Sequence, residues 1–105
     1  MRKELQDIAS AIEPVLREYR IVAAYIFGSY ARGTMTDNSD IDILVDYGEF
    51  PVGLFEHAKI KRRLAQILGK DVDLVALDAL KGDFFSNTVN REKICIYSER
   101  RNSYG

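Results

Sequence analysis

The chain has 105 residues, 47% of them hydrophobic, which suffices for one core but not for a second domain of ordinary size. Fifteen Lys and Arg against sixteen Asp and Glu give a net charge of -1, so the basic excess typical of nucleic-acid-binding proteins is missing. Direct binding to DNA or RNA is not expected. The single Cys95 excludes an internal disulfide. With no signal peptide and no apolar run of about 18 residues, these features predict a soluble cytoplasmic protein without a membrane span.

The first half of the chain predicts a helix and a buried strand. Apolar residues from Leu5 to Tyr19 follow a helical spacing, with Pro14 expected to kink the helix or restart it. Residues 21–27 are apolar and rich in β-forming types, which predicts a strand that Gly28 ends. The letters YARG then suggest the start of a short helix.

Two further strands alternate in polarity. Residues 40–46 predict a second strand, with Asp40, Asp42 and Leu44 on one face and the apolar Ile41, Ile43 and Val45 on the other. Residues 54–68 predict a helix that Gly69 ends as C-cap, with a core face of Ile60, Leu64, Ile67 and Leu68. Residues 71–77 alternate again as a third strand.

The remaining residues complete a single domain. Residues 83–93 predict a weaker helix, and residues 94–98 a short closing strand. Residues 98–105 are polar and are expected to form a flexible tail. The order helix, strand, strand, helix, strand, helix, strand predicts an α/β (α+β) fold with a mixed sheet packed against helices, in one domain spanning residues 1–97.

Asp40 and Asp42 form the first part of a candidate site. Two residues apart on a strand, their Cα atoms lie about 6.6 Å apart and their carboxylates project to one side. At a carboxylate separation of about 5 Å and an effective dielectric near 20, their repulsion is about 3 kcal/mol. No Lys or Arg lies within that strand. Because Mg²⁺ takes carboxylate oxygens together with substrate phosphates, we expect a metal bound with a nucleotide.

Asp73 and a Gly-Ser turn add to this site. If the third strand lies beside the second, Asp73 joins the other two carboxylates, and three is the number expected of a two-metal phosphoryl-transfer site. Gly28 lets the backbone approach a phosphate closely, and Ser29 offers a hydroxyl and an N–H. Arg32 supplies positive charge for a triphosphate.

Each of these features taken alone has a simpler explanation. A Gly-Ser pair is usually a turn, Asp-x-Asp is more often an exposed strand face, and a lone Asp73 is more often a surface residue. Their joint order favours a functional site. His57 lacks partner ligands at metal-binding spacing and is expected to be a surface or half-buried residue. The basic residues on the second long helix are most simply a solvated face, with an acidic partner or a triphosphate as alternatives: Lys59, Lys61, Arg62 and Arg63.

Two segments resemble a known family. "GSYARGTMTDNSDIDILV" resembles the signature of nucleotidyltransferases of the DNA polymerase β superfamily, in particular the minimal nucleotidyltransferase (MNT) proteins. "KDVDLVALDAL" is similar to the segment in which that family carries its third aspartate. The resemblance covers about residues 20 to 97 and implies the polymerase β-like nucleotidyltransferase fold.

The resemblance also implies an activity. Gly28 and Ser29 would hold the nucleotide phosphates, Asp40 and Asp42 the metals, and Asp73 would complete the metal site and help to activate the acceptor hydroxyl. The usual donor in this family is ATP and the usual metal Mg²⁺, with AMP transferred and pyrophosphate released. The base preference depends on pocket shape and stays open.

The small size bears on the acceptor. Because the chain has no room for an acceptor domain, the acceptor must be bound in trans. MNT proteins of this size resemble the antitoxin half of toxin–antitoxin modules whose toxin is a HEPN-domain ribonuclease, with AMP transferred to a tyrosine hydroxyl of the toxin. A non-catalytic antitoxin that masks the toxin is the alternative. Self-modification, a small-molecule acceptor and a homodimer also stay open.

Overall fold

The computed structural model describes residues 1–80, 82 and 84–99. The elements are α1 (Lys3–Glu18), β1 (Ala23–Phe27), α2 (Gly28–Arg32), β2 (Ile41–Asp46), α3 (Leu54–Leu68), β3 (Val72–Ala76), a 3₁₀ turn (Leu77–Ala79), α4 (Phe84–Glu92) and β4 (Ile94–Ser98). The predicted fold class and element order are confirmed. The expected tail lies outside the described residues from residue 100 onward, whereas Ser98 belongs to β4.

The strands form a mixed sheet in the order β3-β2-β1-β4. β1 runs antiparallel to both β2 and β4, whereas β2 and β3 are parallel. The register pairs Phe27 with Asp42 across β1 and β2, and Asp42 with Asp73 across β2 and β3. The C-terminal end of β1 and the N-terminal ends of β2 and β3 therefore lie side by side at the same end of the strands.

One face of the sheet carries the main core. Alternate strand residues pack there against the apolar stripes of α1 and α3, and the members with no exposed surface include Ile12, Leu16, Ile26, Ile43, Ile60 and Leu64. Burying each such side chain contributes about 1.5–3 kcal/mol. This face stabilises the fold without using any of the candidate site residues.

The helix α1 passes through Pro14 without restarting. It is continuous from Lys3 to Glu18, so the predicted restart is wrong. Proline removes one backbone hydrogen bond. Ile12 and Leu16, on either side of Pro14, are fully buried, and Pro14 itself faces solvent, so packing offsets the lost bond.

The core face predicted for α3 extends one turn further than the buried face that the structure shows. Ile60 and Leu64 are fully buried, but Ile67 is 44% exposed, so its assignment to the core is wrong. Gln66 and Gly69 beside it are exposed as well. In this last turn only one side faces the core, where Ala65 and Leu68 are partly buried.

The opposite face of the sheet is more lightly covered. Phe27 and Leu44 pack there with Val89 of α4 in a second, smaller cluster. By strand alternation, Asp42 shares this face with Leu44, as predicted. Within the described part of the chain, no helix is long and apolar enough to cross a membrane.

Candidate active site

A short turn leads into β2 and places Asp40 and Asp42. Ser39 Oγ accepts a hydrogen bond from the Thr36 amide at 2.8 Å, and the Ser39 amide donates to the Thr36 carbonyl at 3.1 Å. These two bonds close the turn directly before the strand. β2 begins only at Ile41, so Asp40 precedes the strand instead of lying within it. Asp40 is exposed, whereas Asp42 is partly buried.

The Gly28 backbone lies directly against the Asp42 carboxyl group. Gly28 has φ +70°, in the region that favours glycine, and a Cβ at this position would lie 3.0 Å from Asp42 Cγ and closer still to Oδ2. A side chain here would therefore occupy the space of the carboxylate. The glycine that the sequence assigned to a phosphate contact also makes room for an aspartate.

The short helix α2 begins with Gly28 and Ser29 and is held at its other end by Arg2. The Arg2 guanidinium donates hydrogen bonds to the carbonyl oxygens of Tyr30 and Ala31, the latter at 2.9 Å. These carbonyls belong to the last turns of α2, where a positive side chain is favourable. Sequence reasoning missed Arg2, because nothing in the first residues indicates a contact 28 residues away.

Asp42 and Asp73 lie side by side on the parallel strands β2 and β3. Adjacent strands are about 4.8 Å apart, so the two carboxylates stand close together on one face. Burial, together with the neighbouring charges of Asp73 and Asp40, raises the pKa of Asp42 to about 6. Arg32 opposes this shift, whereas Glu92 adds to it. The sheet therefore holds together negative groups that disfavour one another.

Glu92, at the end of α4, contacts two of the predicted nucleotide-binding residues. Its Oε1 accepts a hydrogen bond from the Gly28 amide at 2.8 Å, and its two oxygens accept from Arg32 Nη1 at 3.2 and 3.0 Å. Sequence reasoning missed this residue. A signal did exist, because an acidic side chain in the last turn of a helix opposes the helix dipole and so suggests a specific partner.

Two basic residues of α3 border the same region. A surface pocket of about 440 Å³ is lined by Asp40, Asp73, Lys61 and Arg62 among others. Lys61 and Arg62 are exposed, as predicted for a solvated face, and they also lie beside two of the aspartates. Arg63 instead binds Glu18 of α1 at 2.6 Å, so it ties the two long helices together.

The His57 ring contacts Tyr47 and the strand β3 through its two nitrogens. Its Nδ1 is 2.8 Å from the Tyr47 hydroxyl, and its Nε2 is 2.8 Å from the Leu74 carbonyl oxygen. With the proton on Nε2, the ring donates to Leu74 and accepts from Tyr47. The prediction of a half-buried residue is confirmed.

Comparison with known proteins identifies the family. Residues 10–102 match the model of the family described as polymerase beta, nucleotidyltransferase. The chain belongs to this nucleotidyltransferase family. The resemblance found in the sequence is thereby confirmed, as are the enzyme class and the polymerase β-like fold.

Similar proteins are known from curated sequences and solved structures. The protein adenylyltransferase MntA of Thermococcus cleftensis is 37% identical over 95 residues, which cover 90% of this chain and 94% of that protein. A crystal structure of a toxin–antitoxin with AMP-PNP superposes with a TM-score of 0.76 at 28% identity, covering 91% of this chain and 77% of the other.

A third similarity concerns the fold alone. The complex of a tri-AMPylated Shewanella oneidensis HEPN toxin with an MNT antitoxin matches with a TM-score of 0.71 at 24% identity. The match covers 95% of this chain and 77% of the other.

The donor set of this nucleotidyltransferase fits a hard divalent cation. Carboxylate oxygens are the ligands that Mg²⁺ prefers, and a cation would relieve the repulsion that raises the pKa of Asp42. As positioned, however, the described residues include no group of three or more His, Cys, Asp or Glu side chains that could hold a metal ion. The metal-binding role of Asp40, Asp42 and Asp73 therefore stays a prediction.

Proposed function

We propose that this protein is a Mg²⁺-dependent protein adenylyltransferase that transfers AMP from ATP to a hydroxyl group, a tyrosine by preference, of a HEPN-domain toxin. In this role it acts as the antitoxin in the cytoplasm, with residues 1–97 as its single domain. The observation that carries the proposal is the register pairing of Asp42 with Asp73 beside the Gly28 turn. The similarity to the MntA protein adenylyltransferase supports the choice of AMP and of a protein acceptor.

Each residue has a defined part in this proposal. Asp40, Asp42 and Asp73 would hold Mg²⁺, which supplies neutralisation of the triphosphate charge and of the developing charge at the leaving group. Ser29 binds a phosphate oxygen through its hydroxyl and amide at the start of α2. Arg32 contributes charge against the triphosphate, since its side chain is half exposed.

The transfer itself is a single displacement at phosphorus. The acceptor oxygen forms a bond to the α-phosphorus of ATP as the bond to the pyrophosphate oxygen breaks, with the two oxygens in line. Asp73 takes the hydroxyl proton. It suits this task because it is exposed, so an acceptor arriving from solvent can reach it, whereas Asp42 is partly buried.

Intact-mass measurement of a purified HEPN toxin tests the proposal. We expect incubation with this protein, ATP and Mg²⁺ to add the mass of one or more AMP groups. Asp42→Asn should abolish the addition, and the surface variant Asp7→Asn should preserve it. Labelling of the antitoxin alone, without toxin, would instead indicate self-modification. A panel of labelled nucleoside triphosphates tests whether ATP is the preferred donor, and a clear preference for another base would contradict that choice.

A binding role without catalysis is the second candidate. Three large apolar side chains at the start of α3 and in the loop before it favour a protein partner, because they are strongly exposed: Phe50 (64%), Leu54 (88%) and Phe55 (94%). If masking alone neutralises the toxin, Asp40→Asn/Asp42→Asn protein will protect fully with no mass change. That outcome would refute catalysis as the basis of neutralisation.

A further inference from the structure

Glu92 joins α4 to both ends of the short helix α2. Its carboxylate accepts the Gly28 amide hydrogen at the start of α2 and binds Arg32 at the end. Only 18% of the Glu92 side chain is exposed, so the carboxylate lies largely out of water. A poorly hydrated carboxylate that accepts charge-assisted hydrogen bonds fixes its partners more firmly than an exposed one.

The contact leaves Arg32 able to bind a ligand. Both Glu92 oxygens are contacted through the same arginine nitrogen, Nη1. Guanidinium carries five N–H donors in a rigid plane, so fixing one nitrogen fixes the direction of the others. The Arg32 side chain remains 52% exposed, which leaves donors open to solvent.

The same carboxylate also orders the Gly28 turn. The Gly28 amide is one of the first amides of a helix, which have no partner within the helix. Glu92 satisfies this amide and thereby holds the glycine at the positive φ that places it against Asp42. The Gly28 amide thus already donates its hydrogen bond to Glu92. Of the Gly-Ser pair, Ser29 is therefore the residue that we expect to bind a phosphate.

We propose that Glu92 is a positioning residue for the triphosphate, which orients Arg32 and the Gly28 turn without contacting the nucleotide. The proposal rests on the nucleotide-binding role of Arg32 and Ser29 proposed above. It deepens that role, since it makes nucleotide affinity depend on α4, an element more than 60 residues away in the chain from Gly28.

Calorimetric titration with AMP-PNP and with AMP, both with Mg²⁺, tests the role. We expect Glu92→Ala to weaken AMP-PNP binding roughly tenfold, the effect of losing the orientation of one charge-assisted hydrogen bond. AMP, which lacks the β- and γ-phosphates, should be affected less. Glu92→Gln keeps an acceptor for the Gly28 amide, so its affinity for AMP-PNP should lie between those of Glu92→Ala and wild type. In an Arg32→Ala background, Glu92→Ala should weaken AMP-PNP binding less, because the part of its effect that depends on orienting Arg32 is already lost.

The matched control is Glu18→Gln, which breaks another arginine–carboxylate pair, that of Arg63, between α1 and α3. It should leave both affinities unchanged even if the protein becomes less stable. Equal or tighter AMP-PNP binding by Glu92→Ala would overturn the positioning role, whatever its melting temperature. Equal weakening for AMP and AMP-PNP would also overturn it, because a general structural defect has that signature. Absence of AMP-PNP binding by wild type would instead overturn the proposed function itself.

Discussion

Gly28→Ala is expected to remove activity at a modest cost in stability. The residue has φ +70°, a conformation that costs an L-residue about 1–2 kcal/mol. The new Cβ would also lie 3.0 Å from Asp42 Cγ, which forces the carboxylate to move. A displacement of about 1 Å at a reacting centre can lower the rate roughly 100-fold. We therefore expect a loss of about 1–2 kcal/mol in unfolding free energy and a loss of AMP transfer of about two orders of magnitude.

Gly69→Ala separates the two effects. Gly69, the C-cap of α3, has nearly the same φ, +67°, but a Cβ there meets no atom within 4 Å. Urea unfolding measures the strain in both variants, and the rate of mass addition to the toxin measures the chemistry. Both variants should lose stability through the positive φ, Gly28→Ala at least as much as Gly69→Ala, and only Gly28→Ala should lose activity.

Two outcomes would refute this reasoning. Wild-type activity in Gly28→Ala would mean that Asp42 tolerates the displacement or that its position does not matter. An equal loss of activity in Gly69→Ala would mean that strain in the fold, and not the contact with Asp42, limits the reaction.

Three further substitutions test other parts of the molecule. Without divalent cations, Asp42→Asn should raise the unfolding free energy. The pKa of the Asp42 carboxyl group rises from 3.8 to about 6 on folding, so its ionisation destabilises the folded protein. This destabilisation is absent below pH 3.8 and complete above pH 6, and asparagine removes it. The full pKa shift corresponds to about 3 kcal/mol, and we expect a gain in stability of about half of that because the carboxylate is partly solvated. Urea titrations at pH 7.5 and pH 3.5 measure this gain, and the control Asp7→Asn should show none. A gain that persisted at pH 3.5 would contradict the prediction. His57→Ala should lower stability by about 1–3 kcal/mol by removing the contact to Leu74, with transfer per folded molecule unchanged; a selective loss of transfer would assign the histidine to the site. Arg2→Ala should lower stability by about 1 kcal/mol through the uncapped end of α2, and an unchanged melting temperature would contradict that role.

The two faces of β2 could be predicted because alternation is a local property. Residues 40–46 placed Asp42 with Leu44 and opposite Ile43, and the structure places Leu44 in the smaller cluster and Ile43 in the main core. The sequence could not predict that β3 lies beside β2, since strand order depends on the whole chain. The convergence of Asp73 with Asp42 was therefore predicted only for the case that these two strands are neighbours. The register of Asp42 with Asp73 met that condition.

The contacts that complete the site could not be predicted in the same way. Glu92 and Gly28 are 64 residues apart, and Arg2 and Tyr30 are 28 apart, so no local period links them. The error at Ile67 has a related cause. Helical spacing gives the direction of a side chain but not whether another element covers it, and Ile67 in the last turn of α3 is 44% exposed.

The placement of the carboxylates explains why the fold can hold them. Most of the fully buried side chains belong to the core between α1, α3 and one face of the sheet, whereas Asp42 lies on the opposite face with the smaller Phe27 cluster. Repulsion among the aspartates therefore acts on the less stabilising side of the sheet, where ligand charge can relieve it. It follows that substitutions of these aspartates should remove function while leaving the main core intact, and that binding of Mg²⁺ with nucleotide should raise the unfolding free energy by mass action.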